Sequence, residues 1–119
     1  MTGALTPVVL IPRYSSFLGE NEFISEAIDA SMYCAGSLRL WRGELKGTDT
    51  PTYLLFVETS NDKNVWVPQD VAGYDPGAND SMPILLTLTH RWLRTRVVLE
   101  GTNPAVTCWC AGTFERRVR

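Results

Sequence analysis

The stretch RWLRTRVVLE, residues 91–100, decides the fold class of this chain. Its side chains divide by simple alternation into an apolar set and a mixed set: Leu93, Val97 and Leu99 against Trp92, Arg94, Arg96, Val98 and Glu100. A period of two belongs to a β-strand, because successive side chains of a strand point to opposite faces of the sheet. The stretch therefore predicts a half-buried antiparallel strand whose arginines are directed at solvent, a neighbouring strand or a partner.

A second run with the same period follows at residues 105–111, AVTCWCA. One face carries Val106, Cys108 and Cys110, and the other carries Thr107 and Trp109. The residues between the two runs, Gly101-Thr102-Asn103-Pro104, are typical of a turn. Two alternating runs joined by four turn residues predict a hairpin, in which the runs pair with each other.

Outward from these runs, short β-like segments alternate with clusters of Gly, Asn, Asp and Pro along the whole chain. The predicted strands are residues 5–11, 22–30, 37–41, 52–59, 65–67, 84–89, 92–99 and 105–114. The predicted turns are residues 18–21, 46–51, 60–64, 75–80 and 101–104. This spacing predicts an all-β fold: an antiparallel β-sandwich, jelly-roll-like, of about eight strands, with an N-terminal arm. An immunoglobulin-like Greek key has similar spacing, so the topology stays open.

Three segments of this pattern need an interpretation of their own. Residues 20–32 contain good helix formers, but they also alternate with a period of two, which favours a strand. Residues 52–59 are apolar without alternation, which predicts a central strand covered on both faces. After the next turn, Trp66 is expected to close one end of the core.

Length and composition limit the classes of partner. A chain of 119 residues with 45% hydrophobic residues is long enough for one domain with one core. A net charge of −2 excludes a broad nucleic-acid footprint, and no apolar stretch reaches the ~20 residues that span a bilayer. The first residues lack the basic region of a signal peptide and the cysteines number three, so we expect synthesis in a reducing cytoplasm, without disulfides.

The residues that carry chemistry form no recognisable constellation. His90 is the one histidine, and no nucleophile motif accompanies it. Zinc would need Cys34, His90, Cys108 and Cys110, but a Cys-x-Cys pair in a strand separates its sulfurs by about 7 Å, too far for a tetrahedral site. The Asp and Asn clusters lack EF-hand spacing, and phosphate-binding loops are absent from the sequence. We therefore expect no catalytic, cofactor-binding or metal-binding residues and no enzyme activity.

Tryptophan next to arginine is the composition of protein–protein hot spots. Two places in the chain have it, around Trp41 and around Trp92. The candidate interface residues are accordingly Arg39, Trp41, Arg42, Trp92, Arg94 and Arg96.

Three segments together resemble known families. Thr59-Ser60-Asn61-Asp62, followed by Trp66, is similar to the S-x-D-G-x-x-W hairpin of discoidin or galactose-binding β-sandwich modules, with Lys63 where Gly is usual. Residues 91–96 resemble the aromatic-Leu/Val-Arg strand of the same modules. Residues 101–107, followed by a β-run and an Arg-rich end, resemble small β-sandwich proteins of phage head gene clusters.

This resemblance, over roughly residues 23–119, implies a capsid decoration (cement) protein. Such a protein lies on the virion surface, binds the major capsid protein, self-associates as a homotrimer and is synthesised in the host cytoplasm. Residues 1–22 are then either an arm reaching a neighbouring subunit or the shell, or the first strand of the chain's own sandwich, with residues 23–119 as the sandwich domain. The alternative is a carbohydrate-binding module that uses exposed Trp and Arg.

Overall fold

The computed structural model describes residues 4–117. Over these residues the chain is all-β, without helices, and its eight strands form one antiparallel sheet that curls into a half-barrel. The strands are β1 (Leu5–Leu18), β2 (Asn21–Ile24), β3 (Ile28–Asp29), β4 (Tyr33–Arg42), β5 (Lys46–Ser60), β6 (Val67–Pro68), β7 (Asp80–Thr87) and β8 (Trp92–Arg116). The prediction of an antiparallel all-β fold is confirmed. In this part of the chain no helix is long and apolar enough to cross a membrane.

Strand β8 organises the sheet, because it runs through the middle with partners on both sides. Along one side it pairs with β1, then β2, then β3. Along the other side it pairs with β4 and β5. Two further strands extend the sheet, β7 beyond β4 and β6 beyond β5.

The predicted hairpin between residues 92–99 and 105–114 is wrong. Both runs belong to the single strand β8, which continues through Gly101-Thr102-Asn103-Pro104, and they share no pairing. Residues 46–51, predicted as a turn, also lie within a strand, β5. The two turn-like segments face each other: Lys46 pairs with Ala105 and Thr48 with Thr102, with register shifts between the pairs. They form a corner at which both strands bend together.

At this corner a glycine of each strand packs closely against a proline of the other strand. A Cβ on Gly101 would lie 2.9 Å from Cα of Pro51, and a Cβ on Gly47 would lie 3.0 Å from Cα of Pro104. Both glycines have positive φ, +121° and +134°, which other residues rarely adopt. The glycines and prolines that are typical of turns therefore allow two bent strands to approach closely here, and they do not reverse the chain.

The corner also shifts the alternation of β8 by one residue. Before it, the buried positions are odd-numbered, as in Leu93, Val97 and Leu99, and after it they are even-numbered, as in Val106 and Cys108. Such a shift is the effect of a bulge. We call the part before the corner, residues 92–100 with β2, β3, β5 and β6, the amino half. The part after it, residues 105–116 with β1, β4 and β7, is the carboxyl half.

One core joins the two halves. Its members from the amino half include Leu55, Val57, Leu93, Val97 and Leu99, and from the carboxyl half Leu38, Leu40, Ile84, Leu86 and Phe114. Cys108 and Cys110 are also fully buried, and burial raises the pKa of both thiols, that of Cys110 to about 12. Both therefore stay protonated and act as small apolar side chains.

Several strand bounds differ from the prediction. The expected strand at residues 22–30 is split into β2 and β3, and the helical alternative for residues 20–32 does not form. β5 does alternate in its apolar part: Tyr53, Leu55 and Val57 are buried, whereas Leu54 and Phe56 are half-buried under Gly73. Trp66 lies outside the core, half-buried on the outer surface of the sheet, so the prediction that it closes the core is wrong.

The N-terminal segment forms β1, which pairs with β8 of its own chain. Its register shifts around Ile11, the one β1 side chain that is fully buried among residues 5–18. Residues 1–3 and 118–119 of the predicted ranges 1–22 and 23–119 lie outside the described residues.

Candidate functional site

The candidate interface residues fall in three different places. Arg39 and Trp41 lie on the outer face of the carboxyl half, and Trp92, Arg94 and Arg96 lie on the outer face of the amino half. Arg42 points inward and is buried. The molecule therefore offers two surfaces, and the sequence candidates do not form one site.

The outer face of the carboxyl half is a four-stranded surface that the strand register defines. In one row Pro7, Thr113, Ser37 and Leu85 lie side by side, and in the next row Val9, Ala111, Arg39 and Pro83 do so. Leu85 is 75% exposed and Val9 61%. We call these two rows, with Leu5, Trp41, Trp109 and Tyr14, the open face. Apolar side chains dominate it, and the only charged residue in the two rows is Arg39.

Aromatic side chains border one end of the open face. Trp41 and Trp109 pair across β4 and β8. The ring of Tyr14 meets Trp41 edge-on at 5.9 Å between centroids, and the guanidinium of Arg13 lies 4.5 Å above the Trp109 ring. Tyr14 has a φ of +60° within the register shift of β1, and this shift directs residues 13 and 14 over the two indoles.

The outer face of the amino half carries a charged network instead. The carboxylate of Glu58 on β5 accepts from Nε of Arg94 at 2.9 Å and from Nε of Arg96 at 3.1 Å. The Glu58 side chain is only 6% exposed, and both arginine side chains are about one-fifth exposed, 20% and 22%. Arg96 also donates to Glu22 on β2 at 2.9 Å. Two cations on alternate positions of β8 thus share one buried carboxylate of the neighbouring strand.

Each cation of this face also covers an aromatic ring. Arg94 lies 4.1 Å above Trp66, and Arg96 lies 4.3 Å above Phe56. Trp92 is flanked by Nζ of Lys63 at 3.9 Å and by the guanidinium of Arg91 at 4.8 Å. Such contacts each stabilise by roughly 0.5–1 kcal/mol at exposed sites. We call the outer surface along residues 92–100, with these partners, the charged strip.

Arg42 connects the two halves from within. Its Nε and Nη2 donate to the two carboxylate oxygens of Asp75 at 2.6 and 3.3 Å, and Nη1 donates to the carbonyl of Gly43. Burial alone would raise the pKa of Asp75, but the hydrogen bonds from Arg42 and from the Gly77 amide lower it below its usual value. The guanidinium also lies over the ring of Tyr53. Because Arg42 is used inside the fold, it belongs to neither surface.

The side chains that could take part in catalysis form hydrogen bonds within turns and strands. Nδ1 of His90 lies 3.1 Å from Oγ1 of Thr59. Nearby, Oγ of Ser60 donates to Asp62 and accepts from two backbone amides, so these contacts hold it within its own turn. Among residues 4–117 there is no group of three or more His, Cys, Asp or Glu side chains placed to hold a metal ion. The two outer surfaces, rather than a pocket, are the candidate functional sites.

Sequence reasoning missed Glu58 and the open face. A signal for Glu58 was present: a carboxylate directly after a buried apolar run needs a cation, and two arginines at alternate positions of another strand are suitable partners. The open face had no such signal, because Val9, Ala111 and Leu85 come onto one face only through the order of β1, β8, β4 and β7.

No protein-family model matches the sequence, and no curated protein is similar to it at the level of sequence. A solved structure, "Cyanophage Pam1 capsid asymmetric unit", is similar in three dimensions, with a TM-score of 0.52 and 17% sequence identity. The match covers 98% of this chain and 87% of that chain. The likeness therefore extends over the whole β-fold, and this chain shares its fold with a chain of a cyanophage capsid unit.

Proposed function

We propose that this protein is a structural protein of a phage head, a decoration (cement) protein that binds the major capsid protein at the virion surface. It acts by contact and carries out no catalysis. It is made in the host cytoplasm and self-associates as a homotrimer. The observation that carries the proposal is the open face, an apolar four-stranded surface.

The open face has the character of a docking surface. Contiguous exposed apolar area is uncommon on proteins that work alone and marks interaction sites. Leu85, Val9 and Leu5 are each more than 60% exposed, and they lie on one side of one sheet. Burying a side chain of this size against a partner contributes about 1.5–3 kcal/mol. Three such side chains with the bordering aromatics would therefore contribute favourably to the free energy of an interface.

The comparison supports the same class of protein. The similar fold belongs to a chain of a capsid unit of a cyanophage, and the match includes nearly the whole of both chains. A short β-fold built as one curled sheet suits a shell protein. A sandwich or jelly-roll description belongs to this proposal, with β8 as the strand that passes from one layer to the other.

The alternative, a carbohydrate-binding module, needs aromatic rings free to stack on sugars. All four indole rings of the chain already have a partner: Tyr14 against Trp41, Arg13 over Trp109, Arg94 over Trp66, and Lys63 and Arg91 over Trp92. A sugar would have to displace a cation or use the opposite side of a ring. These contacts favour the shell protein over the glycan binder.

Co-sedimentation with empty heads of the encoding phage tests the proposal. We expect the protein to pellet with heads and Leu85→Glu to lose binding by at least about tenfold, since a carboxylate would be buried without a partner. Val71→Glu is the matched control, because Val71 is 84% exposed but lies in the loop before Tyr74, away from the open face.

Both variants should keep the stability of the parent to within about 0.5 kcal/mol, as surface substitutions do. Head binding by the parent and by Val71→Glu, but not by Leu85→Glu, supports the proposal. A parent that never pellets with heads contradicts it, and saturable binding to a glycan array would favour the alternative.

A further inference from the structure

The charged strip changes sign along its length. At the end near Trp92 it carries four cations, and at the end near the corner it carries three carboxylates: Lys63, Arg91, Arg94 and Arg96 against Glu20, Glu22 and Glu100. The carboxylates border a shallow hollow of about 430 Å³ beside Val98. Arg94 and Glu100 are six residues apart on β8, which is about 20 Å.

The charges within each end are only partly neutralised by the chain itself. At the cationic end Asp29 pairs with Arg91 and Glu58 with Arg94 and Arg96, while Asp62 is occupied by the amides of its own turn. Glu22 of the acidic end also pairs with Arg96. In the described residues the ammonium of Lys63 and the carboxylate of Glu100 form no ion pair. Each end therefore retains charge for an external partner.

The middle of the strip is apolar. Ile24 lies next to Arg96 on β2 and is 50% exposed, and Val98 is half-buried beside it. A cationic, aromatic end, an apolar middle and an acidic end are the parts of a polar interface with an apolar centre. The chemistry of the strip therefore calls for a partner with an acidic surface at its cationic end.

We propose that this partner is a second copy of the chain, whose acidic end docks on the cationic end of its neighbour. The proposal rests on the self-association in the proposed function and assigns its surface. Charge complementarity is the argument: two copies in the same direction would bring cations against cations, whereas end-to-end contact pairs opposite charges. A contact that uses different patches on the two copies is heterologous, which is the type of contact that a homotrimer ring requires.

Charge reversal at the two unpaired groups tests this contact. Lys63→Glu reverses the one cation of the cationic end that has no ion pair, and Glu100→Lys reverses a carboxylate of the acidic end, and neither change breaks an ion pair of the described chain. We expect each single variant to raise the half-dissociation concentration of the oligomer at least about tenfold in analytical ultracentrifugation. In the chain with both reversals, residues 63 and 100 again carry opposite charges, so association should be regained.

If association returns in the double variant, the single variants failed because the ends no longer attracted each other and not because the chain unfolded. Thermal melts of all three variants check the fold directly. Single variants that associate like the parent, or a double variant that stays dissociated, overturn the inference. Head co-sedimentation is measured on the same samples. Variants that still associate and still bind heads contradict this inference alone. A parent that binds heads as a monomer contradicts only the self-association. A parent that neither associates nor binds heads contradicts the rest of the proposed function as well.

Discussion

The two outer faces of the sheet share one strand but have different chemistry. In the carboxyl half β8 presents Trp109, Ala111 and Thr113, in a surface where Leu85 and Val9 are exposed. In the amino half it presents Arg94 and Arg96, bound to a carboxylate from the next strand. The shift of alternation at the corner separates these two sets. One face is apolar and uncovered, and the other holds much of its charge in internal pairs.

This difference indicates that the side chains of the charged strip contribute to the free energy of folding, and those of the open face to the free energy of binding a partner. Removing a side chain from the charged strip leaves half-buried charges without partners, so it should reduce stability. Removing one from the open face takes away no internal contact of comparable strength, so it should leave stability unchanged and reduce only binding. Mutations in the two faces can therefore separate folding from assembly.

The largest expected effect is that of Glu58→Ala. It leaves Arg94 and Arg96 half-buried at alternate positions of β8 without their shared carboxylate. Breaking a buried pair by removing one partner costs about 3–5 kcal/mol, and the partial exposure of both arginines places the expected loss near 3 kcal/mol. Urea unfolding followed by tryptophan fluorescence measures it.

Leu85→Ala on the open face is the control for this comparison and should change the free energy of unfolding by less than about 0.5 kcal/mol. Equal losses in the two variants would contradict the assignment of stability to the strip. Glu58→Gln, which keeps the shape and removes the charge, should fall between the parent and Glu58→Ala.

The next effect concerns the ion pair between Arg42 of β4 and Asp75 of the loop between β6 and β7. The pKa of Asp75 is lowered in the folded protein, so its contribution is present above the pKa of an unfolded Asp, about 3.9, and is lost as the pH falls through the lower folded value. Asp75→Asn should cost about 1–2 kcal/mol at pH 7, less than a fully buried pair because the carboxylate is 36% exposed.

Unfolding titrations of Asp75→Asn and its parent at about pH 7 and about pH 3 test the sign of this effect. The parent should lose more stability on acidification than the variant, so their difference should shrink at low pH. A difference that grows on acidification would contradict the role of the Arg42–Asp75 pair. Asp29 and Asp62 also have lowered pKa values, through hydrogen bonds from Ser31 and from the turn amides, and they give both proteins a common background of the same sign.

The sequence predicted where most strands lie but not how they connect. Alternation in residues 92–99 and 105–111 identified the buried side of β8 correctly, because that pattern depends only on the local chain. The composition of residues 101–104 predicted a reversal, because Gly, Asn and Pro are common in turns. What prevents the reversal is Pro51 with Gly47, about 50 residues away, which hold the other strand of the corner. Local turn chemistry contains no information on that partner.

The candidate residues were limited in the same way. Trp92, Arg94 and Arg96 were assigned to the outer face of a strand from alternation alone, and that placement is confirmed. Arg42 followed Trp41 in the same cluster, but the next position of a strand points to the opposite face, and there Asp75 comes within reach. Period-two reasoning on residues 37–42 would have separated Arg42 from Arg39 and Trp41.

The smallest effect expected within the charged strip is that of Arg94→Lys. Lysine keeps the charge near Glu58 but lacks the planar guanidinium that covers the Trp66 ring at 4.1 Å. The loss should be about 0.5–1 kcal/mol, the strength of one partly exposed cation–π contact, measured by urea unfolding. Trp66→Leu removes the same contact from the other side, and the double variant should cost less than the sum of the two singles, since only one contact exists to lose. Strict additivity would mean that the ring and the guanidinium contribute independently to the free energy of unfolding. The arginines of the strip would then be held in place by Glu58 alone.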